Sequence, residues 1–149
     1  MAELFGLHWR KCVDEPRVLA AIQAAERRTS GQIRVSVAPF FWGNVERVAA
    51  KTYRRLGMDA TREHNGVLIF LVPSRKRFAV LGGSGIHQKV TQDFWDEVAG
   101  CLSGHFRNAE FTEGLVDGIT RVGDRLAEWF PPAAEGSENE LPDDIDYGN

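Results

Sequence analysis

The run Val67-Leu68-Ile69-Phe70-Leu71-Val72, apolar at every position and bounded by Asn65-Gly66 and Pro73, constrains this chain more than any other feature. A strand with one wet face alternates apolar and polar residues; a strand that does not alternate needs cover on both faces. The run is far too short to span a bilayer, which takes about 20 residues. It therefore predicts a central strand held between two layers of helix.

The flanking segments supply partners for it. Ile33, Val35 and Val37 alternate with Arg34 and Ser36, the pattern of a strand with one wetter face. Phe78 to Leu81 is a second apolar strand, and Pro73-Ser74-Arg75-Lys76 is the turn that makes a hairpin of the two. Helices fill the intervals. Asp14-Glu15-Pro16 opens the first, with an acid to cap it, Pro in the first turn, and a stripe of Val18, Ile22 and Ala25 up to Arg28. Asn44 caps the second, in which Val45, Val48, Ala49, Thr52 and Leu56 recur at helical spacing before Gly57. Thr91 caps the third, with Phe94, Trp95, Val98, Cys101, Leu102 and His105 on one face. The fourth runs from about Asn108 through Phe111, Leu115, Ile119, Val122, Leu126 and Trp129 to Pro131-Pro132. This order predicts an α/β fold, a three-layer α/β/α sandwich with a small mixed central sheet.

Charge separates the chain into regions. Of its 149 residues, those from 131 to 149 hold six acids (Glu135, Glu138, Glu140, Asp143, Asp144, Asp146) and no base, so a net charge of -3 leaves residues 1–130 at +3. The organisation expected is a lead-in over 1–14, one domain over 15–130 and a disordered acidic tail over 131–149. Arg27-Arg28, Arg54-Arg55 and Arg75-Lys76-Arg77 are too short and dispersed for a nucleic-acid surface, so no nucleic-acid partner is expected. The N-terminal segment lacks a signal-peptide pattern, and the expected location is cytoplasmic and not membrane-inserted. Cys12 and Cys101 form no CxxC pair and read as reduced thiols, with Cys101 turned to the core and inert.

The strongest catalytic motifs, GxSxG, HExxH, a Walker loop and GxGxxG, are absent. Gly82-Gly83-Ser84-Gly85 follows a strand and leads toward a helix, where backbone amides can converge on an anion. His87 lies three residues beyond Ser84, a weak Ser–His pairing, and a glycine-permitted turn explains the same segment without a ligand. His8, His64, His87 and His105 form no pair at i, i+3 or i, i+4, so their spacing offers no zinc site. His64 and His87 flank the hairpin and can approach in space. Asp59, Glu63, Asp93, Asp96 and Glu97 form no calcium loop, so neither a metal nor another cofactor is expected. Phe40-Phe41-Trp42 places three large aromatics in a loop, to be buried in the core or presented to a partner.

Several segments together resemble the TPM domain family, named after a thylakoid-lumen protein, a photosystem II repair factor and a nematode acetylcholine-receptor modulator. They are Ala21-Ile22 with Ala25-Glu26, Thr29-Ser30-Gly31-Gln32-Ile33-Arg34-Val35, Leu56-Gly57-Met58 with Thr61, Asn65-Gly66-Val67-Leu68-Ile69, Gly85-Ile86-His87-Gln88-Lys89-Val90 with Phe94-Trp95, and Phe111 with Gly114-Leu115 and Gly118-Ile119. The resemblance covers about residues 15–130 and is to the compact bacterial branch. It implies the same α/β/α domain; some members are described as acid phosphatases, some bind a divalent cation near the central strand ends, and others act as binding modules.

The departures from the family pattern are as informative. Gln32 stands where this branch usually has Glu, Gly83 where it has Asp, Gln88 where it has Glu, and His64 where other branches have Asp. Each change removes an oxygen that a hard cation needs. The expectation is a non-catalytic interaction module working through His64, Asn65, Arg77, Gly83, Ser84, Gly85 and His87. A protein partner would meet Phe40, Phe41 and Trp42 or the acidic tail. The alternative is a phosphate-ester hydrolase in which the Gly82–Gly85 amides hold the phosphate, Arg77 or Lys89 offsets its charge and His87 is the candidate catalytic acid/base.

Overall fold

The computed structural model describes residues 11–132 and 144–148. Most of the lead-in expected over 1–14, and the tail acids Glu135, Glu138, Glu140 and Asp143, lie outside the described residues.

The sheet is built on the apolar run. Strand β2 (Gly66–Val72) is buried at every position. Strand β1 (Gln32–Val37) pairs with it in parallel, Ile33 opposite Val67 and Val37 opposite Leu71. Strand β3 (Arg77–Gly82) pairs antiparallel on the other side, Val67 opposite Gly82 and Val72 opposite Arg77. The order β1-β2-β3 is a small mixed sheet with the unalternating strand in the middle.

It is covered by helices α1 (Glu15–Glu26), α2 (Val45–Arg55), the four-residue α3 (Ser84–His87), α4 (Gln92–Arg107) and α5 (Phe111–Trp129). On one face Ile33, Val35, Val37, Val67, Ile69 and Leu71 pack with α1, α4 and α5. On the other Leu68, Phe70, Val72 and Ala79 pack with Val45, Ala49 and Tyr53 of α2 and with Met58. Alternate residues of β2 thus enter opposite cores, and the architecture is the α/β/α sandwich that a doubly buried strand requires.

The first two caps behave as their residue types dictate. The Asp14 carboxylate accepts the Arg17 amide at 3.4 Å, and Asn44 Oδ1 accepts the Arg47 amide at 3.0 Å. Thr91 precedes α4 but makes no side-chain cap bond. The last helix starts at Phe111, later than Asn108, because Ala109 adopts a left-handed φ of 58° and breaks the chain direction between α4 and α5.

Residues 144–148 depart from the expected disordered tail. They lie against the outer edge of β1: the Val37 amide donates to the Asp146 carbonyl at 2.8 Å, and the Asp146 amide donates to the Val35 carbonyl at 3.0 Å. Ile145 and Asp146 are buried, and Ser36 bridges to Asp146 in a parallel ladder. The physical reason lies on the supposedly wet face of β1, where Arg34 and Ser36 are both buried. Arg34 Nη2 reaches Asp144 Oδ1 at 3.0 Å, and Ser36 Oγ donates to Asp146 Oδ2 at 2.8 Å. The acids partner Arg34 Nη2 and Ser36 Oγ, two polar groups that the fold buries.

Candidate functional site

The glycine-rich turn is shaped by crowding, not by unusual backbone angles. Gly83 has φ -69°, an ordinary value. A Cβ built on it would lie 2.1 Å from the His64 carbonyl oxygen, and one on Gly85 would lie 2.1 Å from that of Glu63. The loop leading into β2 therefore rests directly on the turn that leaves β3. That contact consumes the amides: Gly83 donates to the Gly66 carbonyl at 3.0 Å, and Gly85 to the His64 carbonyl at 2.9 Å. Ile86 and His87 both donate to the Gly83 carbonyl, at 3.0 and 3.2 Å. Amides already bonded to main-chain carbonyls do not form an anion cradle.

The other expected site residues separate into structural and surface positions. Asn65 is buried and stitches the loops together, its Nδ2 donating to Glu63 Oε2 at 3.0 Å and to Ser30 Oγ at 3.3 Å. His64 is exposed, at φ 51°, and meets the turn through its backbone carbonyl. Ser84 and His87 are both exposed, and no hydrogen bond joins them among the described residues. Arg77 begins β3 while Gly83 follows its end, which places them about 20 Å apart along the strand, beyond the reach of one guanidinium. Arg77 therefore does not share a site with the turn.

What His87 does join is a cleft of about 460 Å³ along β3. Its floor is the strand from Phe78 to Gly82, one wall is Gln92, Trp95, Asp96 and Ala99 of α4, and Glu46 of α2 stands on the far side. His87 stacks on Trp95 with ring centroids 5.2 Å apart. The Trp95 ring in turn lies over Gly82, where a Cβ would meet Cη2 at 2.3 Å. Gln92 Nε2 donates to Asp96 Oδ1 at 3.1 Å, fixing that carboxylate on the wall.

The backbone beside this cleft is an open sheet edge. Because Gly83 donates to Gly66, the ladder alternation turns residues 77, 79 and 81 toward β2, and the N–H and C=O groups of Phe78, Val80 and Gly82 outward. Among the described residues, nothing pairs with them. The sequence marks His87 as a site residue but does not place Trp95, Asp96 and Glu46 beside it; an edge strand with helices on both flanks is a property of the sheet order, which local patterning does not encode.

The aromatic loop divides. Phe41 enters the α2-side core with the Arg75 guanidinium 5.1 Å from its ring centroid, so it is not available to a partner. Phe40 and Trp42 are 54% and 82% exposed and pack edge to face on each other. Asp144 and Asp146 of the tail are likewise engaged within the fold. No helix among the described residues is long and apolar enough to cross a membrane.

The chain is similar to the BA42 protein of the psychrophilic bacterium Bizionia argentinensis, with 37% identity over 90% of this chain and 92% of that one and a TM-score of 0.84. The N-terminal domain of a Porphyromonas gingivalis protein (20% identity, 74% and 72% covered, TM-score 0.62) shares the fold. So does the N-terminal domain of a Corynebacterium glutamicum protein (14% identity, 82% and 74% covered, TM-score 0.56). No curated protein matches the chain. The sequence profile of the TPM domain matches residues 13–125, and the chain belongs to the TPM domain family.

Proposed function

We propose that this protein is a non-catalytic binding module that takes an extended peptide along the open edge of β3. The observation that carries the reading is the pairing of an unfilled row of outward N–H and C=O groups with a cleft running beside it. Main-chain pairing supplies affinity in such a site, and the flanking side chains supply selectivity. Successive peptide side chains would point alternately toward α4 and toward α2. Glu46 on one flank and Asp96 on the other favour Lys or Arg at those positions, and His87 stacked on Trp95 closes the Gly82 end.

Phosphate-ester hydrolysis is the less favoured reading, because the Gly83 and Gly85 amides are spent on main-chain carbonyls and Arg77 sits at the wrong end of β3. Among the described residues, no hydrogen bond joins His87 to Ser84, the hydroxyl of the turn. The exchange of acids at positions 32, 83 and 88 for Gln, Gly and Gln points the same way.

Two measurements test the proposal. An extended Lys/Val peptide with Lys at two successive positions, one for each flank, titrated into the labelled protein, is expected to shift the amide resonances of Phe78, Val80 and Gly82 saturably. Its Glu/Val counterpart is expected not to bind, and Asp96→Lys to weaken the Lys/Val peptide several-fold. Equal binding of both peptides, or of neither, would overturn the reading. So would hydrolysis of a simple aryl phosphate that magnesium stimulates and His87→Ala abolishes.

A further inference from the structure

On the opposite face of α4 from the cleft, two side chains of one helix face meet a third from α5. Cys101 and His105 are one helical turn apart on α4, and Asp117 faces them from α5. One donor atom from each lies within 4.8 Å of the other two. Cys101 Sγ is 3.1 Å from Asp117 Oδ2, and His105 Nε2 is 3.3 Å from the same oxygen. Cys101 is thus only half-buried and faces a carboxylate, not the apolar core.

The helix packing brings the donors this close. A Cβ on Gly114 would sit 2.6 Å from Phe106 and 2.9 Å from His105 Cβ, and one on Gly118 would sit 2.7 Å from Leu102. These glycines bracket Asp117 on α5 and let its backbone approach α4 more closely than any side chain would permit.

The surroundings resemble the support of a metal-binding imidazole. Glu110 Oε1 lies 3.0 Å from His105 Nδ1, so the ring nitrogen away from the cluster is held by a carboxylate. That arrangement keeps a proton on Nδ1 and turns Nε2 toward Cys101 and Asp117, where a metal would take the place of the proton that Nε2 donates to the Asp117 carboxylate. Arg121 Nε holds the other Asp117 oxygen at 3.3 Å, leaving Oδ2 to the cluster. The Cys101 thiol donates to the Asp117 carboxylate, so sulfur and oxygen already face one another across the cluster.

We propose that Cys101, His105 and Asp117 form a binding site for a zinc-class divalent transition metal, distinct from the β3 cleft. One thiolate, one imidazole and one carboxylate are a donor set that zinc accepts and that calcium or magnesium does not favour. Binding replaces the Cys101 S–H proton and the His105 Nε2 proton with the metal and releases both to solvent, with the fourth position left to water. The site ties α4 to α5 independently of any peptide on β3.

Cobalt(II) is the probe, added to untagged protein stripped with a chelator. The expected result is a thiolate-to-cobalt charge-transfer band with tetrahedral visible bands, displaced by zinc and unchanged in Cys12→Ser. Cys101→Ser is expected to lose the charge-transfer band and His105→Gln to weaken binding at least tenfold, with far-ultraviolet circular dichroism confirming that each is folded. Glu110→Gln, a positioning change, is expected to weaken cobalt about 10–100-fold while keeping the charge-transfer band. Zinc is expected to raise the thermal midpoint of the wild type but not of Cys101→Ser. Absence of the band at saturating cobalt, its survival in Cys101→Ser, or its loss in Cys12→Ser would overturn the site.

Discussion

Gly85 and Gly100 carry the same side chain for opposite reasons. At Gly85 a Cβ would fall 2.1 Å from a backbone oxygen, which cannot move aside as a flexible side chain can. At Gly100, within α4, a Cβ would meet nothing within 4 Å. Gly85→Ala is therefore expected to destabilise by about 1–3 kcal/mol or more through overpacking. Gly100→Ala is expected to stabilise by about 0.5–1 kcal/mol, since it removes backbone freedom from the unfolded chain. Denaturant midpoints of the two variants check both signs. The sequence shows a glycine cluster at 82–85 and invites a ligand-binding interpretation, but the partner that demands the glycines is the carbonyl row of residues 63 and 64, some twenty positions upstream. Local pattern cannot reveal a neighbour brought in by strand pairing.

Helices and strands, by contrast, were largely legible. Their signals are local: the period of Val18, Ile22 and Ala25, the alternation at Ile33 to Val37, and the unbroken run of β2. Capping shows where that legibility stops. Asn44 and Thr91 look equivalent in sequence, yet only Asn44 bonds a helix amide. Asn44→Ala is expected to cost about 1 kcal/mol and Thr91→Ala distinctly less, as thermal unfolding of the pair would show. The α4–α5 junction is hidden for a related reason: Ala109 at φ 58° is a residue type that seldom adopts the left-handed region, and it is held there by the bonds that close α4, Ala109 to Phe106 and Glu110 to His105 at 3.0 Å each, together with the packing of the two helices. The Cys101–His105–Asp117 cluster needed the same packing. Cys101 and His105 stand at i, i+4, a spacing that pairs of histidines do not show in this chain, and Asp117 reaches them from another helix.

Across the whole molecule, the net charge of -3 divides differently once residues 144–148 are in place. Arg34 and Arg55 of the body face Asp144 and Asp146 of the tail, so part of the tail's charge is neutralised inside the fold. Burial alone would raise the Asp146 carboxyl, but the Arg55 fork (3.1 and 2.6 Å) and Ser36 outweigh it and hold the group below the ordinary carboxylate value of 3.8. A depressed carboxylate stabilises the fold above its unfolded value and loses that contribution as pH falls through the folded one. Stability is therefore expected to drop below about pH 4. Asp146→Asn is expected to cost about 1.5–3 kcal/mol at neutral pH and to flatten the acid limb; urea midpoints from neutral pH downward give both quantities.

The strand-like contact of Asp146 with β1 also makes residues 144–148 a tethered ligand. A covalent tether presents its sequence at an effective concentration in the millimolar range, so a free peptide competing for that edge starts at a large disadvantage. The two sides of the sheet are consequently unequal as docking positions: the β1 side is occupied in cis and resists exchange, while the β3 side must be won in trans. A weak partner strand would thus be sorted to one side of the molecule before any side chain is read.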